Sequence, residues 1–261
     1  MILSTQNGVS FYRFANLAAC GGVDHRIFTR NCGCSQPPFA SLNVGFGIGD
    51  RQKNVVANRA VISRCMGSGR LVFTRQVHGC EIAVLSRDNE KSEETDPRRT
   101  FSADALVTDI FGRNLAIQVA DCQAVLMYEP IRRVIANVHC GWRGSIQNII
   151  GRTVEVMEQD FGCRRGRIRA GIGPSLGPCC AEFINFSTEI PMEFWRYKGL
   201  NRHFDFWFLS RDQLKRAGVK EINIESSGIC TRCHTDDFFS YRAQRTTGRF
   251  AAVIGLSEME S

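Results

Sequence analysis

The chain has 261 residues, of which 43% are hydrophobic and 23% charged, and this excludes a disordered polypeptide and allows a core that needs no disulfides. Its formal net charge of +7 is spread in short pairs such as Arg98-Arg99, which suits an anionic small substrate and excludes a basic nucleic-acid tail. No stretch approaches the roughly 20 apolar residues of a membrane span. With no apolar leader pattern either, we expect a cytoplasmic protein. The twelve cysteines are then expected to be reduced thiols, core residues or metal ligands and not a disulfide framework.

Apolar runs of strand length recur along the chain and alternate with three amphipathic helical patterns. In chain order, the predicted strands cover residues 27–29, 71–73, 82–85, 105–107, 115–117, 125–128, 134–138, 168–172, 222–224 and 250–254. The predicted helices cover residues 52–66, 145–161 with Ser145 as N-cap, and 210–217. Because strands outnumber helices and follow one another, the order favours an α+β fold with mixed or antiparallel sheets. The charged residues 86–100 are expected to form an exposed loop within a single domain.

Three of the predicted strands run into turns that carry a nitrogen or sulfur ligand, namely His78, Cys122 and His139. If these strand ends meet, two imidazoles and one thiolate converge, a set that suits zinc. Three protein ligands would leave the fourth tetrahedral position open, as in catalytic zinc sites, and copper could occupy the same ligands. Ordinary packing of each histidine and cysteine remains an alternative, because no HExxH motif or paired CxxC frames them.

Nine motifs, in their order along the chain, resemble the signature of the laccase-domain family. They are FTR at 28–30, SLN at 41–43, NR at 58–59, QVHG at 76–79, SADALVTD at 102–109, ADC at 120–122, VHCGWRG at 138–144, GIGPSLGPCCAEF at 171–183 and FFSYRAQRTTGR at 238–249. This family is also called the multicopper polyphenol oxidase family, and it includes peptidoglycan editing factors and enzymes of the purine nucleoside phosphorylase type. The resemblance covers nearly the whole chain, residues 1–261, as one domain.

The resemblance implies a four-layer α/β/β/α sandwich and a zinc site at His78, Cys122 and His139. It also implies phosphorolysis of adenosine, inosine and methylthioadenosine, with some deamination of adenosine. We therefore expect nucleoside and phosphate as small-molecule partners of a monomer or weak dimer. The chain departs from the family at Cys140, where alanine is usual, and at the loop 31–35, but the expected ligands are intact.

Further residues in the motifs are candidates for binding and catalysis. Arginines offer forked donors to a phosphate, and turn residues beside the ligands can bind substrate or move protons. The candidates for substrate binding are Arg30, Asn43, Arg59 and Trp142, and those for catalysis are Cys122, His139, Asp121 and Arg143. Asp104 or Asp121 is expected to orient a histidine ligand or to shuttle protons. A surface salt bridge for Arg59 and a turn-forming role for Asp121 remain alternatives.

Three other functions stay open on the sequence. Cys122 could be a nucleophile with His139 as its base, which suits a cysteine-type amidase or hydrolase that edits peptidoglycan precursors. A copper-dependent polyphenol oxidase is less compatible with five histidines, because multicopper sites take on the order of ten. A non-enzymatic module with a structural zinc would need a fourth ligand, from Cys140 or from Cys32 and Cys34.

Two further cysteine motifs are candidates for metal binding or redox chemistry. Cys230-Thr231-Arg232-Cys233-His234 has the spacing of a c-type haem attachment site, but no export signal accompanies it. We interpret this spacing as a coincidence, with a redox pair or an accessory metal site as alternatives. Cys179-Cys180 follows a turn and is interpreted as buried packing.

Overall fold

Two mixed β-sheets of six strands each are packed face to face in the computed structural model, which describes residues 1–67, 69–85 and 102–258. The first sheet has the spatial order β1 (Ile2–Gln6), β2 (Val9–Arg13), β3 (Val23–Phe28), β12 (Phe250–Leu256), β7 (Arg113–Val119) and β4 (Arg70–Phe73). The second has the order β11 (Ile224–Ser226), β10 (Arg169–Ile172), β8 (Gln123–Glu129), β9 (Val134–Cys140), β6 (Ala105–Thr108) and β5 (Ile82–Leu85). Only the pairs β4 with β7, β10 with β11 and β5 with β6 are parallel among these neighbours.

Helices cover the outer face of each sheet. They are α1 (Ala15–Ala18), α2 (Gln52–Cys65), α3 (Trp142–Ile146), α4 (Ile149–Phe161), α5 (Phe186–Glu189) and α6 (Phe206–Arg216). Segments of 3-10 helix lie at Arg165–Arg167, Met192–Tyr197, Leu200–Arg202 and Glu221–Asn223. None of the helices in the described ranges has both the length and the apolar character required to cross a membrane.

Alternation of side chains along the strands divides the interior into layers. In β8, Leu126 packs between the two sheets, whereas its neighbour Met127 packs with Val154 of α4. In β7, Ile117 likewise faces the second sheet, and Ala116 lies in the cluster that contains Ile62 of α2. Consecutive residues of these two strands therefore contribute to different cores. The predicted α+β fold with an α/β/β/α sandwich of mixed sheets is confirmed.

Most predicted elements agree with the structure within a few residues, and the exceptions have local causes. The predicted helix 145–161 is wrong at its start, because the chain already turns helical at Trp142 and breaks at Asn148, whose φ is 57°. Ser145 is therefore not an N-cap: it lies inside α3, and its hydroxyl donates to the carbonyl of Gly141. Residues 222–224 form a strand only from Ile224 onward. The expected loop 86–100 lies outside the described residues.

The hairpin formed by β1 and β2 is not among the predicted elements. Its turn is Asn7-Gly8, with φ values of 51° and 81°. An Asn-Gly pair between two extended runs is a strong hairpin signal, because both residues tolerate positive φ. The following helix α1 begins directly after Phe14, which is fully buried in the core between the sheets.

Folding buries His25 of β3, and its Nε2 accepts a hydrogen bond from the backbone N–H of Phe14 at 2.8 Å. Burial lowers the pKa of His25 to about 4, against a smaller opposing effect of Asp24. The unfolded chain takes up this proton near pH 6.5 and the folded chain only near pH 4. The free energy of unfolding contributed by His25 is therefore intact above pH 6.5 and falls as the pH is lowered through this window.

We predict that wild-type protein loses up to about 3 kcal/mol of unfolding free energy between pH 6.5 and pH 4 through His25 alone. The variant His25→Gln keeps an acceptor for the Phe14 amide and cannot titrate. Urea denaturation at several pH values should show a shallower pH dependence for His25→Gln. If the unfolding free energies of the two proteins change equally with pH, this role of His25 is wrong.

Candidate metal centre and its cavity

The register of the second sheet brings the three predicted ligands together. His139 lies near the end of β9, opposite Ala124 of β8, so that Cys122 just before β8 lies beside it. On the other side of β9, the N–H of His139 donates to the carbonyl of Asp104 at 2.6 Å, directly before β6. The loop with His78 leads into β5, which is paired with β6. Four neighbouring strands therefore present their ends at one site.

The ligand atoms of His78, Cys122 and His139 all lie within 4.8 Å of one another. The two imidazole rings are 4.8 Å apart between centroids and nearly perpendicular, at 87°. His139 is buried, Cys122 is half-buried and His78 is exposed, so the cluster opens to solvent on one side. Two nitrogens and one sulfur at this separation can hold a single ion while leaving a coordination position free.

The carboxylate of Asp104 holds this arrangement from behind. Its Oδ1 lies 2.7 Å from Nδ1 of His139 and accepts the N–H of His78 at 3.0 Å. Its Oδ2 accepts the N–H groups of Gly79 at 2.7 Å and Val77 at 3.2 Å. Hydrogen bonds from His139 and from these amides keep the pKa of Asp104 below its usual value although burial acts to raise it. Asp104 is thus an anion that turns Nε2 of His139 toward Cys122.

In the absence of a metal, Cys122 and His139 form an ion pair. Burial acts to raise the pKa of Cys122, but the charge of His139 and hydrogen bonds from His139 and His78 lower it to about 6. Burial acts to lower the pKa of His139, but the charge of Cys122 and the hydrogen bond to Asp104 raise it to about 9. Near neutral pH the sulfur is therefore a thiolate, the form that binds metals and attacks electrophiles.

Gly141 passes close to the ligands. A Cβ added at this position would lie 3.2 Å from Cδ2 of His78 and 3.3 Å from Sγ of Cys122. A side chain at residue 141 would therefore crowd two of the ligands, and the glycine avoids this. A glycine is suited to such a position because it lets the backbone approach a ligand closely.

A cavity of about 500 Å³ lies in front of the cluster, a size typical of small-molecule sites. Three kinds of side chain line it besides the ligands. They are the aromatic residues Trp142, Phe183, Phe206 and Tyr241, the amides Gln76, Gln118 and Gln123, and the charged residues Asp121, Arg242 and Arg249. An apolar wall with a few polar groups suits a planar ligand that has an anionic group or that binds together with a separate anion.

The structure places two of the other predicted site residues in the cavity wall. Trp142 faces Phe183, with centroids 6.2 Å apart. Asp121 also lines the cavity, but its Oδ1 accepts the hydroxyl of Thr231 at 2.7 Å and its Oδ2 accepts the N–H of Arg242 at 2.6 Å. Asp121 therefore joins three segments of the wall, and the residue that contacts His139 is Asp104. The exposed Arg143 stacks on Trp142 and does not line the cavity.

Three predicted substrate-binding residues lie away from the cavity. The guanidinium of Arg30 donates to the carbonyls of Ala40 and Thr235. That of Arg59 lies 3.7 Å from the ring centroid of Phe73, and its Nε donates to a backbone carbonyl. The buried Asn43 accepts the N–H groups of Gly45 and Arg249. Internal hydrogen bonds thus engage all three nitrogens of the Arg30 guanidinium and both ends of the Asn43 amide, whereas in Arg59 they engage Nε.

The cations that do line the cavity are Arg242 and Arg249, which the sequence analysis did not single out. Both belong to the motif FFSYRAQRTTGR, which is one of the nine motifs that carry the family resemblance. Nη1 of Arg249 donates to the carbonyls of Thr247 and Gly248, both at 2.9 Å. Burial lowers the pKa of Arg249, while Cys122 and Asp121 act in the opposite direction. Asn43 contributes to the site indirectly, by holding the backbone of Arg249.

Residues 24–257 match the model of a family described as multi-copper polyphenol oxidoreductase laccase. The chain is 33% identical over 246 residues to purine nucleoside phosphorylase YlmD of Geobacillus stearothermophilus, covering 89% of each protein. It is 34% identical over 268 residues to a purine nucleoside phosphorylase of Deinococcus radiodurans, covering 98% of this chain and 96% of the relative.

Solved structures agree with these sequence relationships. The crystal structure of YlmD from Geobacillus stearothermophilus superposes with a TM-score of 0.86 at 31% identity, covering 98% of this chain and 99% of that one. A protein from Bacillus licheniformis, YfiH, superposes with a TM-score of 0.82 at 28% identity, covering 95% of this chain and 99% of that one. The similarity therefore extends over the whole sandwich.

We predict that Asp104→Asn weakens zinc binding about 10- to 100-fold, because the substitution removes the anion that orients His139 and the His78 loop. Competition with a chromophoric chelator measures the affinity. Asp109→Asn is the matched control, since Asp109 is exposed at the far end of β6. Affinities within twofold for Asp104→Asn and wild type would contradict the role given to this carboxylate.

Proposed function

The chain belongs to the multi-copper polyphenol oxidoreductase laccase family, and from this premise we propose that it is a zinc-dependent purine nucleoside phosphorylase. The observation that carries the proposal is the cluster of His78, Cys122 and His139 at a cavity with an aromatic wall and two arginines. Relatives at 33% and 34% identity bear the name purine nucleoside phosphorylase. The proposed substrates are adenosine, inosine and methylthioadenosine, together with inorganic phosphate.

The donor set suits zinc. A thiolate and two imidazoles, one of them hydrogen-bonded to a buried carboxylate through its other nitrogen, are typical of catalytic zinc sites. A zinc ion held by His78, Cys122 and His139 would supply a Lewis acid able to polarise a bound substrate group at neutral pH. The same donors could hold copper. The remaining work, which is to bind, orient and protonate, falls to residues of the cavity.

The purine is proposed to bind against the aromatic wall. Trp142 and Phe183 meet edge to face, and Phe206 packs on Phe183 with centroids 5.3 Å apart. Tyr241 contributes from another segment of the cavity wall. Aromatic faces of this kind bind flat heterocycles by stacking and exclude water from the bond that breaks.

Phosphate is proposed to bind at Arg249, with Arg242 nearby. Carbonyls fix Nη1 of Arg249, and this leaves its other nitrogens to donate to an anion. In phosphorolysis, a phosphate oxygen forms a bond to C1′ of the ribose while the bond from C1′ to the purine nitrogen breaks. The electron pair of that bond leaves with the purine, which takes up a proton, and the products are free base and ribose 1-phosphate. Most of the catalytic task is positioning of charge.

Deamination of adenosine is proposed as a side activity at the same site. In that reaction water adds at C6 of the purine, and ammonia leaves after a proton has been transferred to the amino group. Both reactions use the same purine pocket, so only the nucleophile and its position differ. Of the residues close to the ligands, Asp121 lines the cavity but has both oxygens engaged, which argues against it as the proton carrier.

Oxidation at a multicopper centre has less support. All five histidines lie in the described residues, and only His78 and His139 share a site. His25 is buried in β3, and Nδ1 of His203 and of His234 lies within hydrogen-bond distance of a backbone carbonyl. Blue and trinuclear copper centres together take on the order of ten histidines.

We predict that zinc-loaded protein releases adenine from adenosine only when phosphate is present, with ribose 1-phosphate as the second product. Chromatography of the free base, with and without phosphate, measures this. In Arg249→Gln we expect the KM for phosphate to rise about 10- to 100-fold, because one charge-assisted contact to the anion is lost.

Arg152→Gln is the matched control for Arg249→Gln, since Arg152 is exposed on α4. Its KM for phosphate should equal that of wild type. If protein with a full complement of zinc releases no base in phosphate, the proposed function is wrong.

One specific observation favours a second candidate, a thiol-dependent amidase or hydrolase acting on peptidoglycan precursors. Cys122, His139 and Asp104 form a chain of contacts in the order nucleophile, base and orienting carboxylate. The same three residues would then act without metal. Zinc and alkylation compete for the one sulfur, so reactivity of Cys122 separates the two candidates.

We predict that alkylation of Cys122 in metal-free protein accelerates from pH 5 to pH 7 and levels off, because the thiolate is formed above a pKa of about 6. Zinc should slow this reaction more than tenfold without changing labelling of the exposed Cys32, the internal reference. Peptide mapping after timed labelling measures both rates. If metal-free protein keeps its full catalytic activity and alkylation of Cys122 abolishes that activity, the result supports the hydrolase and excludes the zinc enzyme.

A further inference from the structure

A second cluster of sulfur atoms lies outside the site described above. The Sγ atoms of Cys179, Cys180, Cys230 and Cys233 all lie within 4.8 Å of one another. Cys180 and Cys230 are buried, whereas Cys179 and Cys233 are exposed. The interpretation of Cys179-Cys180 as buried packing is therefore wrong for Cys179. The fold also gives Cys230 and Cys233 two sulfur neighbours from a distant segment, which favours the alternative of an accessory metal site.

Backbone pairing brings the two cysteine-bearing loops together. The N–H of Ser175 donates to the carbonyl of Ile229 at 3.2 Å, and the N–H of Thr231 donates to the carbonyl of Ser175 at 3.0 Å. In the Cys-x-x-Cys turn, the N–H of Cys233 donates to the carbonyl of Cys230 at 3.1 Å. These contacts fix the loops independently of any bond between the cysteines.

The sulfur spacing fits a tetrahedral metal site. Sγ of Cys233 lies 3.7 Å from Sγ of Cys179 and 3.6 Å from Sγ of Cys180. Four thiolates around zinc at about 2.3 Å are separated by about 3.8 Å along each edge of the tetrahedron. A disulfide requires about 2.05 Å. The observed spacing therefore matches ligands of one ion better than bonded pairs.

Gly177 adds two features that suit such a site. Its N–H donates to Sγ of Cys230 at 3.3 Å, a contact that stabilises a thiolate. A Cβ at residue 177 would lie 3.0 Å from Cβ of Cys230 and 2.7 Å from the ring of Trp207. The close approach of the two loops therefore depends on a glycine here.

We propose that Cys179, Cys180, Cys230 and Cys233 bind a structural zinc ion with all four positions filled by protein. The four thiols release their protons on binding, and no electron transfer is involved. A closed tetrathiolate site stabilises structure and leaves no position for substrate. It thus differs from the open cluster of His78, Cys122 and His139, and the inference holds whatever reaction that cluster catalyses.

The position of the cluster indicates what the ion would hold in place. Thr231, next to Cys230, donates its hydroxyl to Asp121 at 2.7 Å, and Asp121 precedes Cys122 in the chain. Nη1 of Arg242 donates to the carbonyl of Cys180 at 3.3 Å. The proposed zinc therefore ties together the wall of the cavity from which Asp121 and Arg242 project.

Metal analysis of intact protein tests this proposal. Native mass spectrometry and elemental analysis should find one zinc ion fewer in Cys233→Ser than in wild type, and the same number in Cys32→Ser as in wild type; the wild-type number is two if the open site also holds zinc. Cys32 is an exposed thiol outside both clusters, so it is the matched control. One zinc per wild-type chain, unchanged in Cys233→Ser, would overturn the proposal.

A second measurement does not depend on whether Cys233→Ser folds. In His78→Ala, which weakens the open site, X-ray absorption at the zinc edge should show the retained zinc surrounded by four sulfurs at about 2.3 Å. Mixed nitrogen and sulfur ligation of the retained zinc would contradict the assignment. Disulfides among these cysteines would also contradict the assignment. They would appear as a native wild-type mass below the calculated mass by the hydrogens lost on oxidation.

Discussion

The carboxylate of Asp104 is the constraint on which the arrangement of the site depends. It is fully buried, and it accepts hydrogen bonds from three consecutive amides of the His78 loop while it contacts Nδ1 of His139. A buried anion is tolerated only when its oxygens are satisfied in this way. One side chain thereby fixes both the loop of one histidine and the ring orientation of the other.

Other properties of the site follow from this constraint. With Nδ1 of His139 directed to Asp104, the opposite nitrogen faces Cys122, and the thiolate and imidazolium stabilise each other. The thiolate of Cys122 and the carboxylate of Asp121 interact electrostatically with the guanidinium of Arg249. These charges are held in fixed positions before substrate binds, which is the condition under which electrostatic catalysis is strongest.

Much of the fold and part of the site could be predicted from the sequence. Continuous apolar runs in β7 and β8 predict strands, because both faces of each strand are covered by a packed layer. Ligands at the ends of these strands converge because neighbouring strands share a sheet. The internal contacts of Arg30 and Arg59 depend on backbone carbonyls that lie 10 to 205 positions away in the chain. The second sulfur cluster joins residues 54 positions apart in the chain. No local sequence pattern predicts that these two segments meet in the fold.

Binding of one ion by His78, Cys122 and His139 is the central claim, and anomalous diffraction at the zinc absorption edge tests it most directly. In crystals of active protein, we expect an anomalous peak about 2.0–2.3 Å from Sγ of Cys122, from Nε2 of His139 and from a ring nitrogen of His78. Active crystals with no anomalous peak at these three side chains would contradict the account.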